Sequence, residues 1–250
     1  MTLGSAAKSV FSIIWTAFDG LRKVLHLLLL LFIFGVVFGA LSSSTPLLPR
    51  ESALLIKPMG SLVEEYEGDP YERAIAELLG EAEPQTLVID VVDGLRFARD
   101  DERIKGVVLD LSGLGGSGLS KLQRVGEALD DFRESGKPVV ATADFYGQEA
   151  YFLAAHADEI YLHPEGAVFL QGFGRYRNYF KSAIDKLKID WNIFRVGTHK
   201  SAVEPFMRDD MSDEDEESSR RLIDQLWHNY QDDVLAARSL APRLLDDMLE

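Results

Sequence analysis

Eighteen consecutive residues, Val24 to Leu41 (V-L-H-L-L-L-L-L-F-I-F-G-V-V-F-G-A-L), hold one polar side chain, His26. As a helix this run extends about 27 Å, close to the hydrocarbon thickness of a bilayer. It is apolar on every side, with no amphipathic face to lay on a soluble core. Arg22 and Lys23 sit at one end and Ser42-Ser43-Ser44-Thr45-Pro46 at the other. The bias of basic residues towards the cytoplasm places the N-terminus inside and the chain from about residue 45 across the membrane. A cleaved signal peptide is the competing reading. It calls for a short leader, an apolar stretch of about 7–15 residues and an A-x-A-like site. The leader here is 23 residues, the run is long, and Ala40-Leu41-Ser42 is a weak cleavage site, so a retained anchor is expected. The implied organisation is a cytoplasmic segment (1–23), a transmembrane anchor (24–41), a Ser/Pro linker (42–52) and a folded body (53–250).

Composition narrows the chemistry. The chain has 250 residues, enough for one large domain or two small ones, and no cysteine. Disulfides, thiolate metal sites and a cysteine nucleophile are therefore excluded. Five histidines show no metal-ligand spacing, and no metal or cofactor is expected. The net charge is −15, and residues 1–23 are net basic, so the remainder is more acidic still. Such a body repels phosphate backbones, and nucleic acid is not an expected partner.

After the linker, strand-like and helix-like patterns alternate. Ala53–Ile56, Gly106–Leu111, Lys137–Ala143, Glu159–Leu162 and Val168–Leu170 read as strands, and Asp190–Val196 as extended. Leu87–Asp101, Leu119–Glu134, Gln148–His156 and Asn178–Leu187 read as helices. This rhythm predicts an α/β fold with a mostly parallel sheet. Gly113-Leu114-Gly115-Gly116-Ser117-Gly118 joins a strand to a helix, where backbone N–H groups can cradle an anion. A plain flexible turn is an equal alternative, and the spacing fits no nucleotide-binding fingerprint. Asp209 to Glu217 carries seven acids in nine positions. With Ser212 as N-cap it reads as a helix start with a solvated acidic face, followed by an apolar stripe of Leu222, Ile223, Leu226, Trp227 and Tyr230.

The segment Phe194 to Phe206 (F-R-V-G-T-H-K-S-A-V-E-P-F) sets Lys200 on a turn between apolar stretches. A lysine is ordinarily a solvated charge. Flanked by Phe194, Val196, Val203 and Phe206, its ammonium could be held where water is scarce. Desolvation disfavours the charged form, which is how a lysine becomes a general base near neutral pH.

In order, the apolar anchor, D-D-E-R-I-K-G-V-V-L-D-L (100–111), S-G-K-P-V-V-A (135–141), A-Y-F-L-A-A-H-A-D-E-I-Y-L-H-P (150–164) and F-R-V-G-T-H-K-S-A-V-E-P-F-M-R-D-D-M-S (194–212) resemble the signal peptide peptidase A (protease IV) family, in its long membrane-anchored bacterial form. The resemblance covers nearly everything from residue 51 to about 240. It implies a Clp protease/crotonase-like fold of stacked αββ units. It also implies a serine endopeptidase with a Ser–Lys dyad that degrades cleaved signal peptides at the inner membrane. Lys200 is implied as the general base. No cofactor is implied, and homo-oligomers are.

In that long form two copies of the fold share one chain, the first supplying the lysine and the second the serine. Only the first is expected here, inactive by itself and dependent on the C-terminal half. The turn matching the serine's position reads Phe145-Tyr146-Gly147-Gln148-Glu149-Ala150, which puts Gln148 where the nucleophile would stand. Ser201 adjoins Lys200, but neighbouring residues rarely point at one another. Gly115-Gly116 look like a relic of the oxyanion loop. Two alternatives remain open: a non-catalytic membrane-anchored scaffold, and, on fold analogy alone, an acyl-CoA enzyme.

Overall fold

The computed structural model describes residues 3–41, 49, 51–190, 192–194, 197, 200–240 and 245. Its elements begin with α1 (Leu3–Leu41), β1 (Ser52–Ile56), β2 (Ser61–Val63), α2 (Pro70–Leu79), β3 (Gln85–Leu87), α3 (Val88–Asp100) and β4 (Ile104–Asp110). They continue with α4 (Leu119–Arg133), β5 (Val139–Ala143), α5 (Gln148–Ala155), β6 (Glu159–Leu162), α6 (Lys181–Lys186), α7 (Glu204–Met207) and α8 (Asp213–Arg238). Two units separate, Met1–Pro49 and Arg50–Glu250.

In the first unit the helix does not start at the apolar run but already at Leu3. Asp19, Arg22 and Lys23 do not interrupt it, because Arg22 and Lys23 pair with Asp19 one turn away at 2.9 and 2.7 Å. Within it, Ile14–Gly39 is long and apolar enough to cross a membrane. Most of the Ser/Pro stretch expected as a linker lies outside the described residues, and Ser52 already belongs to β1.

In the second unit, β1, β4, β5 and β6 form one parallel sheet in that order. β4 is the near-continuous apolar run expected of a strand covered on both faces, and it lies between β1 and β5. A second parallel pair joins β2 to β3. The mostly parallel α/β architecture read from the sequence is the one observed.

Helical spacing decides which faces meet. α3 buries Val88, Val91, Val92, Leu95 and Ala98, and α4 buries Leu122, Val125, Leu129 and Phe132. The two helices pack together, α4 against α5 and α5 against α8. Leu95, Leu129 and Phe132 are fully buried, each worth about 1.5–3 kcal/mol relative to exposure. The Lys137 ammonium donates to the carbonyls of Ala98, Arg99 and Asp101, each at 2.8 Å. A cation thus satisfies the orphan carbonyls that end α3.

The structure differs from the expected elements at several points. Val168–Leu170 does not form a strand; only Val168 bridges to Tyr146. The helix expected over 178–187 shortens to α6. Residues 192–194 have no regular structure, and the rest of the extended 190–196 stretch is described only at Asp190. Four elements had no sequence expectation: β2, β3, α2 and the four-residue α7. β2 and β3 have three residues each, too few to show a period. α2, by contrast, carries readable signals: Asp69 as N-cap, Pro70 at the first position and Gly80 in the left-handed region as C-cap.

Candidate functional site

In open parallel sheets, ligand sites form beyond the carboxyl ends of the strands. Here β4 ends at Asp110 and β5 at Ala143. The loops after these strands enclose a cleft of about 260 Å³ lined by Leu111, Ser112, Leu114, Asp144, Phe145, Gly147, Glu149 and Ala150. Residues of the 145–150 turn and of the glycine loop both line it.

Neither is built to react. Gln148 opens α5, and its carboxamide Oε1 accepts from Gly172 N at 2.8 Å and Gln171 N at 3.2 Å. Its own carbonyl accepts from the Tyr230 hydroxyl at 2.9 Å. Burial pushes that phenol well above its ordinary pKa, so it remains a donor. Gln148 is therefore a three-way tie between α5, the 171–172 loop and α8. The glycine loop is likewise stitched down. Gly115 N donates to Gly60 O at 2.8 Å, Gly60 N to Gly113 O at 2.8 Å, and Leu62 N to the Ser117 hydroxyl at 3.0 Å. Of the two readings left open for this loop, an anion cradle and a plain turn, the first loses the Gly115 N–H, which is already spent on the protein. Gly60 makes the approach possible: it sits at φ +65°, and a Cβ there would fall 1.7 Å from Pro84 O.

Lys200 lies in a different segment, after the turn at Gly197 (φ +104°). A Cβ at residue 197 would stand 3.9 Å from Lys200 Cε, an ordinary contact, so it is the positive φ and not crowding that calls for glycine there. Among the described residues, the apolar shelter expected around Lys200 does not form. Lys200 is exposed, Phe194 is 98% exposed, and Phe206 stacks on Phe180 with centroids 6.3 Å apart. Val196 lies outside the described residues. The Phe206 ring is taken up by Phe180, the residue before α6, and is not turned to the lysine.

The chain just past Lys200 is firmly held. The Ser201 hydroxyl donates to Asp215 Oδ1 at 2.7 Å, and the Ser201 carbonyl accepts from Arg177 at 2.9 Å and from Glu204 N at 3.0 Å. Glu204 is 2% exposed and accepts from the Ser212 hydroxyl at 2.6 Å and Ser212 N at 3.2 Å. Ser212 in turn caps α8 by accepting from Asp215 N, as its sequence position predicts. The acidic tract is only partly the solvated face expected. Glu216 and Glu217 are exposed, whereas Asp215 is buried against Arg175 at 3.1 Å and Arg177 at 3.5 Å. Burial pushes the Asp215 carboxyl up, but the Ser201 hydroxyl and the two guanidiniums outweigh it and hold its pKa below the ordinary value. On the stripe of α8, Tyr230 is buried and stacks on Trp227, while Leu222 falls outside it at 58% exposure. Among the described residues, no cluster of His, Asp or Glu is arranged to hold a metal ion.

Arg175, Arg177 and Asp215 carried no signal in the sequence. A buried acid inside an acidic tract looks like its solvated neighbours, since its partners lie up to forty residues away.

Residues 131–248 match the profile of Peptidase family S49. The chain is 46% identical over 158 residues to Protease 4 of Salmonella typhi, covering 63% of this chain and 26% of that one. It is 41% identical over 203 residues to Protease 4 of Haemophilus influenzae, covering 80% and 33% respectively. It thus spans about a quarter to a third of the length of these relatives. Among solved structures, an enoyl-CoA hydratase/isomerase family protein from Silicibacter pomeroyi superposes at a TM-score of 0.27, with 20% identity over 34% of this chain and 43% of that one.

Proposed function

Because the chain belongs to peptidase family S49 and is of the protease 4 type, we propose that it supplies the general base, Lys200, of a membrane-anchored serine endopeptidase whose nucleophilic hydroxyl comes from a second copy of the fold. The Lys200 amine takes the proton as the serine oxygen attacks the scissile carbonyl, then returns it to the leaving amine. One observation carries this reading. Lys200 is exposed, while the hydroxyl of Ser201 that follows it is bonded to Asp215. The neighbouring hydroxyl is thus engaged elsewhere, which leaves the nucleophile to a second copy of the fold. A second copy closing over it removes the ammonium from water, and desolvation favours the neutral amine a base must be.

Gln148, tied by its own carboxamide, supports placing the nucleophile elsewhere. The body (53–250) is the base-bearing peptidase-like domain. α1 anchors it in the bacterial inner membrane, N-terminus in the cytoplasm and body outside, near its substrates, the cleaved signal peptides. Assembly with the C-terminal half, and into homo-oligomers, is part of the same reading. It is supported by α2, which buries none of its residues and leaves Tyr71 and Leu78 exposed.

The test is Lys200→Ala in the protein that carries the serine-bearing copy, assayed on a fluorogenic hydrophobic peptide. Turnover disappears while the melting temperature stays put; retained turnover refutes the assignment. The same tie at Gln148 favours a second reading, a non-catalytic scaffold. That reading wins if this chain binds the serine-bearing copy and the mixture cleaves nothing.

A further inference from the structure

Asp215 is an expensive residue to place where it is. Its side chain is 4% exposed, and a buried ion pair is weak evidence for stability, because an apolar side chain at the same position packs as well without the desolvation cost. Ion clusters of this kind are best attested where a direction or register must be fixed. Arg175 donates to Asp215 Oδ1 at 3.1 Å and also to the Ser219 hydroxyl one turn further along α8. Arg177 stands 3.5 Å from Asp215 Oδ2, which has no hydrogen-bond partner among the described residues. With Oδ2 left to charge attraction alone, the directed bonds of the carboxylate are those at Oδ1, from Arg175 and Ser201.

Ser201 is held at both ends, the hydroxyl by Asp215 and the carbonyl by Arg177. The Cα of Lys200 lies one peptide unit, about 3.8 Å, from a residue fixed in this way. Turning the Ser201 side chain inward leaves the Lys200 side chain facing out. The two guanidiniums come from the segment before α6 and the carboxylate from α8, so both elements grip the segment that carries the lysine.

We infer that Arg175, Arg177 and Asp215 form a clamp on Ser201 that aims the Lys200 amine, making Asp215 and Ser201 positioning residues for the proton transfer. This rests on the reading of Lys200 as the general base. Misplacing a reacting group by about 1 Å costs on the order of 100-fold in rate, so loosening the clamp acts on turnover more than on binding.

The experiment uses the complete protein with its serine-bearing copy and a fluorogenic hydrophobic peptide, and compares Lys200→Ala, Asp215→Asn, Ser201→Ala and Ser201→Thr. Asp215→Asn and Ser201→Ala each lower kcat about 10- to 100-fold with KM within about two-fold. The double variant loses no more than the worse single one, because both break one linkage. Ser201→Thr, which keeps the hydroxyl, restores kcat to within about three-fold of the parent. If Asp215→Asn does not fold, Ser201→Ala, which leaves the ion cluster in place, carries the test. Full kcat in Ser201→Ala beside an inactive Lys200→Ala overturns the clamp and leaves the base assignment intact. A kcat loss that vanishes on cooling in step with regained folding also overturns it, since the role is then structural. An active Lys200→Ala instead removes the premise.

Discussion

Replacing Gln148 by serine separates two views of the residue in the nucleophile's position. If it is a vacant slot, a hydroxyl there is harmless and can restore chemistry. If it is a structural tie, serine is too short to reach Gly172 N and Gln171 N, now bonded at 2.8 and 3.2 Å. The shorter bond is to the half-buried Gly172; its loss leaves an N–H poorly placed to find water and costs about 1 kcal/mol. Gln171 is exposed, so its N–H rehydrates at a cost of about 0.5 kcal/mol. The sum of about 1.5 kcal/mol lowers the melting temperature by roughly 3–6 °C for a unit of this size. Gln148→Glu keeps an acceptor in place at the positive end of α5 and stays within about 0.5 kcal/mol of the parent. Thermal and urea unfolding of both variants, with a peptidase assay on the serine variant, decide the matter. Unchanged stability in Gln148→Ser, or turnover gained by it, refutes the structural account.

Two further perturbations have defined signs. Gly126 lies inside α4, where alanine normally gains about 1 kcal/mol, but a Cβ there would come within 2.6 Å of His156 Nε2. That ring is buried and bonded to Asp130 at 2.9 Å, so it cannot swing away, and Gly126→Ala is expected to destabilise by about 1 kcal/mol net in urea unfolding. For Asp158, burial raises the carboxyl pKa, but the Val139 N–H at 2.8 Å and the Arg133 guanidinium bring it below its ordinary value. Its folded pKa is depressed, so its contribution is complete above the ordinary carboxylate range and is lost as pH falls through that range. Asp158→Asn should therefore flatten the loss of stability between about pH 5 and pH 3, and an unchanged acid limb counts against the assignment.

The rhythm of strands and helices was legible because burial on one or two faces writes itself into local periodicity. Val88, Val91, Val92, Leu95 and Ala98 are spaced as one helical face, and all five are buried. Ser212 announced the start of α8 for an equally local reason, since an N-cap bonds only three residues ahead. Val168–Leu170 misled, because an apolar triplet says nothing about whether a neighbouring strand is free to pair with it.

Residue order alone was thus enough for the apolar helix and the parallel α/β body. It took the packed molecule to make Gln148 a tie, to spend the Gly115 N–H, to bury Asp215 while leaving Glu216 out, and to leave Lys200 exposed among the described residues. Each of the first three depends on partners well apart along the chain: Gln148 with Gly172, Gly60 with Gly115, Arg175 with Asp215. Periodicity reports which side of an element is covered. What a polar atom meets there is set by the element folded against it.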